Sequence, residues 1–89
     1  MKLVKTVKVR NDLGLHIRPA ATIVKLLQTT KCMVFFTYKK DTVNAKSIMS
    51  ILMLAAKKNS SITITVEGHE AKKFMTKLVD CFENGFGEK

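Results

Sequence analysis

Ile62, Ile64 and Val66 alternate with Thr63, Thr65 and Glu67, and no other feature of the chain constrains its fold as much. Successive side chains of a strand point to opposite faces, so this segment is apolar on one side and polar on the other. It predicts a sheet covered on one face only. Val7 and Val9 alternate with Thr6, Lys8 and Arg10, which predicts a second half-buried strand over about residues 3–9. Met33–Tyr38 (MVFFTY) is rich in strand formers, and Phe35, Phe36 and Tyr38 are expected as core aromatics. A turn at Lys39, Lys40 and Asp41 then leads to a short strand near Thr42–Asn44.

Helices supply the cover. Ala20, Ile23, Val24 and Leu27 fall at helical spacing and predict a helix over about 18–28, with Pro19 in its first turn. Ser47–Ala56 (SIMSILMLAA) reads as a second helix with Ser47 as its N-cap. Ala71, Phe74, Met75, Leu78, Val79 and Phe82 form the apolar stripe of a third, whose other faces carry Lys72, Lys73, Lys77 and Asp80. Asn11, Asp12 and Gly14 mark a loop, and the tail, Asn84–Lys89, is expected to fray. The order βαββαβα predicts an α+β layered sandwich, three helices on one face of a four-stranded sheet, in a single domain over residues 1–89.

A chain of 89 residues buries only about 60–65% of its unfolded surface, so chemistry is expected at the surface rather than in a deep cleft. No apolar run approaches the ~20 residues of a membrane span, and Met1–Arg10 lacks the apolar stretch of a secretory signal. Cys32 and Cys81 are far apart, which argues against a disulfide framework or a metal site and for reduced thiols in a cytoplasmic protein. The formal net charge of +9 calls for an acidic partner: nucleic acid, an anionic surface or an acidic protein. The βαββαβ order is shared with RNA-recognition domains, but the basic residue, Gly and spaced aromatics those domains need are absent. Neither nucleic-acid binding nor membrane insertion is expected.

Gly14-Leu15-His16-Ile17-Arg18-Pro19-Ala20-Ala21 carries the chemistry. Gly14 allows a sharp turn after the first strand. His16 stands at a helix start, where unpaired N–H groups and a partial positive charge favour a phosphate. Neutral imidazole is nucleophilic at cellular pH, and Arg18 offers a fixed-charge fork for phosphate oxygens. No general base and no second catalytic cluster accompany them, which suits a transfer protein acting with an enzyme better than a self-contained hydrolase. Lys25, two turns further along, and the apolar pair Ile48 and Met49 are candidate docking residues, with core packing as the alternative for Met49.

The Gly14-Leu15-His16-x-Arg18-Pro19-Ala20 segment resembles the phosphorylation-site signature of the HPr family, the histidine-containing phosphocarriers of the bacterial phosphoenolpyruvate-dependent sugar phosphotransferase system. Asn44-Ala45-Lys46-Ser47-Ile48-Met49 is similar to the segment around that family's regulatory serine. The resemblance implies an open-faced sandwich with an antiparallel sheet, and a monomeric carrier rather than an enzyme, with no cofactor and no metal. It implies that His16 accepts a phosphoryl group on Nδ1 from enzyme I and donates it to enzyme IIA domains, with Arg18 holding the group. It implies that Ser47 is phosphorylated by an HPr kinase/phosphorylase in organisms that have one. A regulatory module acting chiefly through Ser47 is the alternative on the same fold. Two departures stand out: family members often carry Gly where this chain has Ala55 and Asn59, and are frequently near neutral or acidic.

Overall fold

The computed structural model describes residues 1–88. In chain order they form β1 (Lys2–Lys8), α1 (Ile17–Leu27), β2 (Met33–Tyr38), β3 (Asp41–Asn44), α2 (Ile48–Met53), β4 (Ser61–Glu67), α3 (Ala71–Glu83) and a 3₁₀ turn at Gly85–Gly87. The strands make one antiparallel sheet in the order β1-β4-β2-β3, with the three helices over one face. The expected α+β sandwich is the observed fold.

The alternation in β4 explains its place inside the sheet. Ile62, Ile64 and Val66 are fully buried and face the helices. Each such side chain contributes about 1.5–3 kcal/mol by leaving water. From α1 they meet Ala20, Ile23 and Leu27, and from α3 Phe74, Leu78 and Phe82, all within one core. The opposite face stays open and carries a row of threonines set by the register. Thr6 pairs with Thr63, Thr63 with Thr37, and Thr37 with Thr42. Their hydroxyls bond at 3.2 Å (Thr6–Thr63) and 2.8 Å (Thr37–Thr42). Phe35 lies in this open layer, half-buried between Asn44 and Thr65, and is not a core residue. The strand period puts it opposite Phe36, whose buried ring meets Phe82 edge-on at 5.7 Å.

Two elements differ from the sequence expectation. The second helix spans Ile48–Met53, not Ser47–Ala56. Its last turn tightens, with Leu54 N–H donating to Ile51 O and Ala55 N–H to Leu52 O, and Ala55 then adopts a φ of 51°. That left-handed residue stops the helix. Asn59 also has a positive φ, 74°, so both positions at which the chain departs from the family's glycines hold a backbone shape that glycine favours.

The tail is the second difference. It does not fray over the described residues: Gly85 is buried, Phe86 stacks edge-on against Phe82 at 4.9 Å, and Glu88 turns back to the start of α1. Lys89 lies outside the described residues.

A left-handed alanine costs about 1–2 kcal/mol. Glycine returns part of that gain through its larger unfolded-state entropy. Ala55→Gly is therefore expected to raise stability by about 0.5–1 kcal/mol. Asn59→Gly should do less, because asparagine tolerates this region better. Urea unfolding checks both: the midpoint should rise with an unchanged slope.

Candidate functional site

The loop between β1 and α1 is held from three sides. Gly14 N–H donates to Asn11 O at 3.1 Å, closing a turn, and Leu15 N–H donates to Ala56 O at 3.0 Å. Leu15 itself is buried in the core. Gly14 has a φ of 68°, and a Cβ there would sit 2.4 Å from Ala56 O. Both the turn and the close approach demand glycine, and together they tie the His16 loop to the segment that follows α2.

His16 is the N-cap of α1, with extended backbone (φ −83°, ψ −170°). Its carbonyl accepts the first helical bond from Ala20 N–H at 3.1 Å. Pro19 has no N–H to leave unpaired, and the N–H groups of Ile17 and Arg18 precede that first bond at the positive end of the helix dipole. Among the described residues the His16 side chain makes no capping bond to them.

The ring is engaged elsewhere. His16 Nε2 lies 2.6 Å from Glu88 Oε1. Asn11 Nδ2 donates to the same oxygen at 2.7 Å and to Gly14 O at 2.7 Å. Both partners of that amide are acceptors, which fixes which way Asn11 points. Its Oδ1 is left without a hydrogen-bond partner among the described residues. Arg18 Nη1 stands 3.8 Å from Glu88 Oε2, and the Arg18 side chain is 77% exposed. His16 retains 28% exposure, so it is half-buried.

Hydrogen bonding from His16 holds the Glu88 carboxyl below the usual carboxylate range, with help from Asn11 and the charge of Arg18; desolvation pushes the other way and loses.

His16 and Arg18 thus come together as the sequence predicts. The two side chains it misses are Asn11 and Glu88. Asn11 reads as an ordinary loop residue, and its 1% exposure depends on contacts remote in sequence. Glu88 lies 72 residues from His16, beyond the reach of any local pattern.

The remaining candidates lie apart from this cluster. Ser47 caps α2, its Oγ accepting from Ser50 N–H at 3.2 Å. Among the described residues no hydrogen bond or ion pair joins it to His16. α2 packs against α1. Met49 is 70% exposed, as a docking residue requires, but Ile48 is half-buried against the core. The exposed apolar surface on these two helices comes instead from Ile17, Met49 and Met53. Lys25 is exposed near the end of α1, about 13 Å from His16 at 1.5 Å rise per residue.

Residues 3–84 match the family described as "PTS HPr component phosphorylation site". The phosphocarrier protein HPr of Chlamydia muridarum is 51% identical over 80 residues, 90% of this chain and 77% of that protein. That of Chlamydia pneumoniae is 47% identical over 87 residues, 98% of this chain and 81% of that protein. The crystal structure of HPr-C-His from Thermoanaerobacter tengcongensis superposes with a TM-score of 0.92 at 32% identity, covering 98% of each chain.

The depressed Glu88 carboxyl sets a direction for pH. A group whose folded value lies below its unfolded value adds stability above the unfolded value and loses it as pH falls through the folded one. The tail contact should persist from neutral pH down to the ordinary glutamate range, about 4.3, and release below it. Amide resonances of Phe86 and the Asn11 side chain, followed by NMR from neutral to acid pH, should report that release. Glu88→Gln should abolish this titration.

Proposed function

Because the chain belongs to the HPr family, phosphocarriers of the phosphotransferase system, we propose that it accepts a phosphoryl group on His16 Nδ1 from enzyme I and passes it to enzyme IIA domains. One observation carries this reading: His16 stands at the open start of α1 with Nε2 held by Glu88, so that Nδ1 is the ring nitrogen left for a new bond.

The chemistry follows from those positions. The Nδ1 lone pair attacks phosphorus while the donor's bond to phosphorus breaks and its electron pair leaves with the donor. The helix start and its two leading N–H groups favour the phosphoryl oxygens, whose negative charge the dipole stabilises. Arg18, exposed and within a short swing of the ring, supplies the planar fork that holds those oxygens through transfer. The half-buried ring is open enough for a partner's active site to reach it. Ile17, Met49 and Met53 offer that partner an adaptable apolar surface, and Lys25 an attractive charge for an acidic one.

Incubation with enzyme I and labelled phosphoenolpyruvate tests the reading. The label should be acid-labile and base-stable and should be absent from His16→Ala, which should still fold. Arg18→Ala should slow transfer about 10–100-fold with little change in KM, because the guanidinium pairs best with charge on the moving group. Arg18→Lys should recover part of the loss. A His16→Ala protein labelled at the parental rate overturns the proposal.

Ser47 supports a second, regulatory step. A phosphate on a helix N-cap suits the helix end, so the fold should survive. It would place about −1.5 to −2 charges beside Met49, where an acidic enzyme docks, and oppose that docking. Phosphoserine at Ser47, made with an HPr kinase/phosphorylase, should raise KM for enzyme I at least 10-fold while the far-UV spectrum stays unchanged. Unaltered acceptor kinetics in the phosphoserine form would falsify this role.

A further inference from the structure

We propose that Glu88 is a positioning residue for phosphoryl transfer: its carboxylate keeps the Nε2 proton on the His16 ring and pairs the positive charge the ring acquires once Nδ1 is bonded to phosphorus. The proposal rests on the reading of His16 as the phosphoryl acceptor.

An ionised carboxylate only accepts hydrogen bonds, so the 2.6 Å contact requires the proton to sit on Nε2. In a neutral imidazole that leaves the lone pair on Nδ1. The carboxylate is not free to drift. Oε1 also accepts from Asn11 Nδ2 at 2.7 Å, and Asn11 is 1% exposed. Oε2 faces Arg18 at 3.8 Å. Behind Glu88, Phe86 is anchored on Phe82 and Gly85 is buried beside Asn11. The carboxyl is thus delivered by a packed turn and locked by a buried amide. A carboxylate orienting a histidine through the nitrogen remote from the chemistry is a recurrent device for fixing a tautomer and stabilising the cation that forms.

The electron count gives Glu88 a role in both half-reactions. When Nδ1 bonds to phosphorus, the ring carries substituents on both nitrogens and becomes a cation, which Glu88 neutralises. When the group is passed on, the N–P electron pair returns to Nδ1 and the ring leaves as neutral imidazole, its proton still on Nε2. If that proton were lost first, the leaving group would be an imidazolate, a far poorer one. Glu88 therefore widens the pH range over which the phosphorylated carrier donates. The other charged groups on neighbouring elements are Arg18 on α1, Asp12 paired with Lys58 at 2.7 Å, and Lys57 beside Gly14.

The test uses the full chain and its Glu88→Gln and Glu88→Ala variants, phosphorylated with enzyme I and phosphoenolpyruvate or directly with phosphoramidate. The ³¹P resonance of phospho-His16 is titrated against pH. An opposite charge at this distance shifts a titration by about one unit or more, so the midpoint should fall by about one pH unit in both variants. Above that midpoint, donation to an enzyme IIA domain should slow about 10-fold with KM unchanged. Glu88→Gln keeps an acceptor oxygen for Asn11 and His16, and Phe86 remains anchored on Phe82, so the turn should stay packed even where the polar contact loosens; loss of packing alone would not move the ³¹P midpoint. Parental midpoints and rates in both variants overturn the proposal while leaving the reading of His16 intact. A parent chain that takes no label at His16 overturns both.

Discussion

Burial of one face of β4 is the interaction on which the rest of the molecule depends. Ile62, Ile64 and Val66 project from an inner strand, bonded on one side to β1 and on the other to β2. All three helices gain their cover from the layer those side chains define. The loop that bears His16 leaves β1 at the point where Val9 still bonds to Ser60 and Asn59, just ahead of β4. His16 is therefore registered against the central strand before α1 begins. Without that register neither Gly14 nor Leu15 would reach Ala56.

The outer layer obeys a different logic. Its threonines bond to one another across strands, in a layer that also carries Phe35 and the exposed side chains of Val4 and Met33. β1 is an edge strand, and it carries Lys2, Lys5 and Lys8. Lysines along an edge discourage a further strand from pairing there, because the incoming chain would have to accept or desolvate them. Part of the net charge of +9 thus has a place in the architecture.

Legibility in the sequence follows the range of the interaction concerned. Alternation and helical spacing are local, and they place every strand and helix to within a few residues. His16 and Arg18 are legible because a helix start makes a local site from adjacent residues. Phe35 matches Phe36 in aromatic content and differs from it in strand period, and the period alone sends it to the open face. The early end of α2 comes from the left-handed backbone at Ala55, a residue whose chemistry gives no warning of it. The half-buried state of His16, the orientation of Asn11 and the course of the tail arise from a contact spanning 72 residues, and no window of sequence contains both ends.

That span has a consequence for how the molecule comes into being. Contacts between distant parts of a chain form late, since the entropy of closing a large loop must be met before the contact returns anything. Helix α1 and its leading histidine are local and can form early, whereas the carboxylate that bonds the ring arrives only when the segment after α3 has docked. A partly folded molecule would thus present an imidazole with its two nitrogens undirected. On the proposed reading, chemical competence at His16 is for this reason a property of the completed fold, and a phosphoryl donor meeting the chain during folding or local unfolding would meet a poorer nucleophile than the native protein offers.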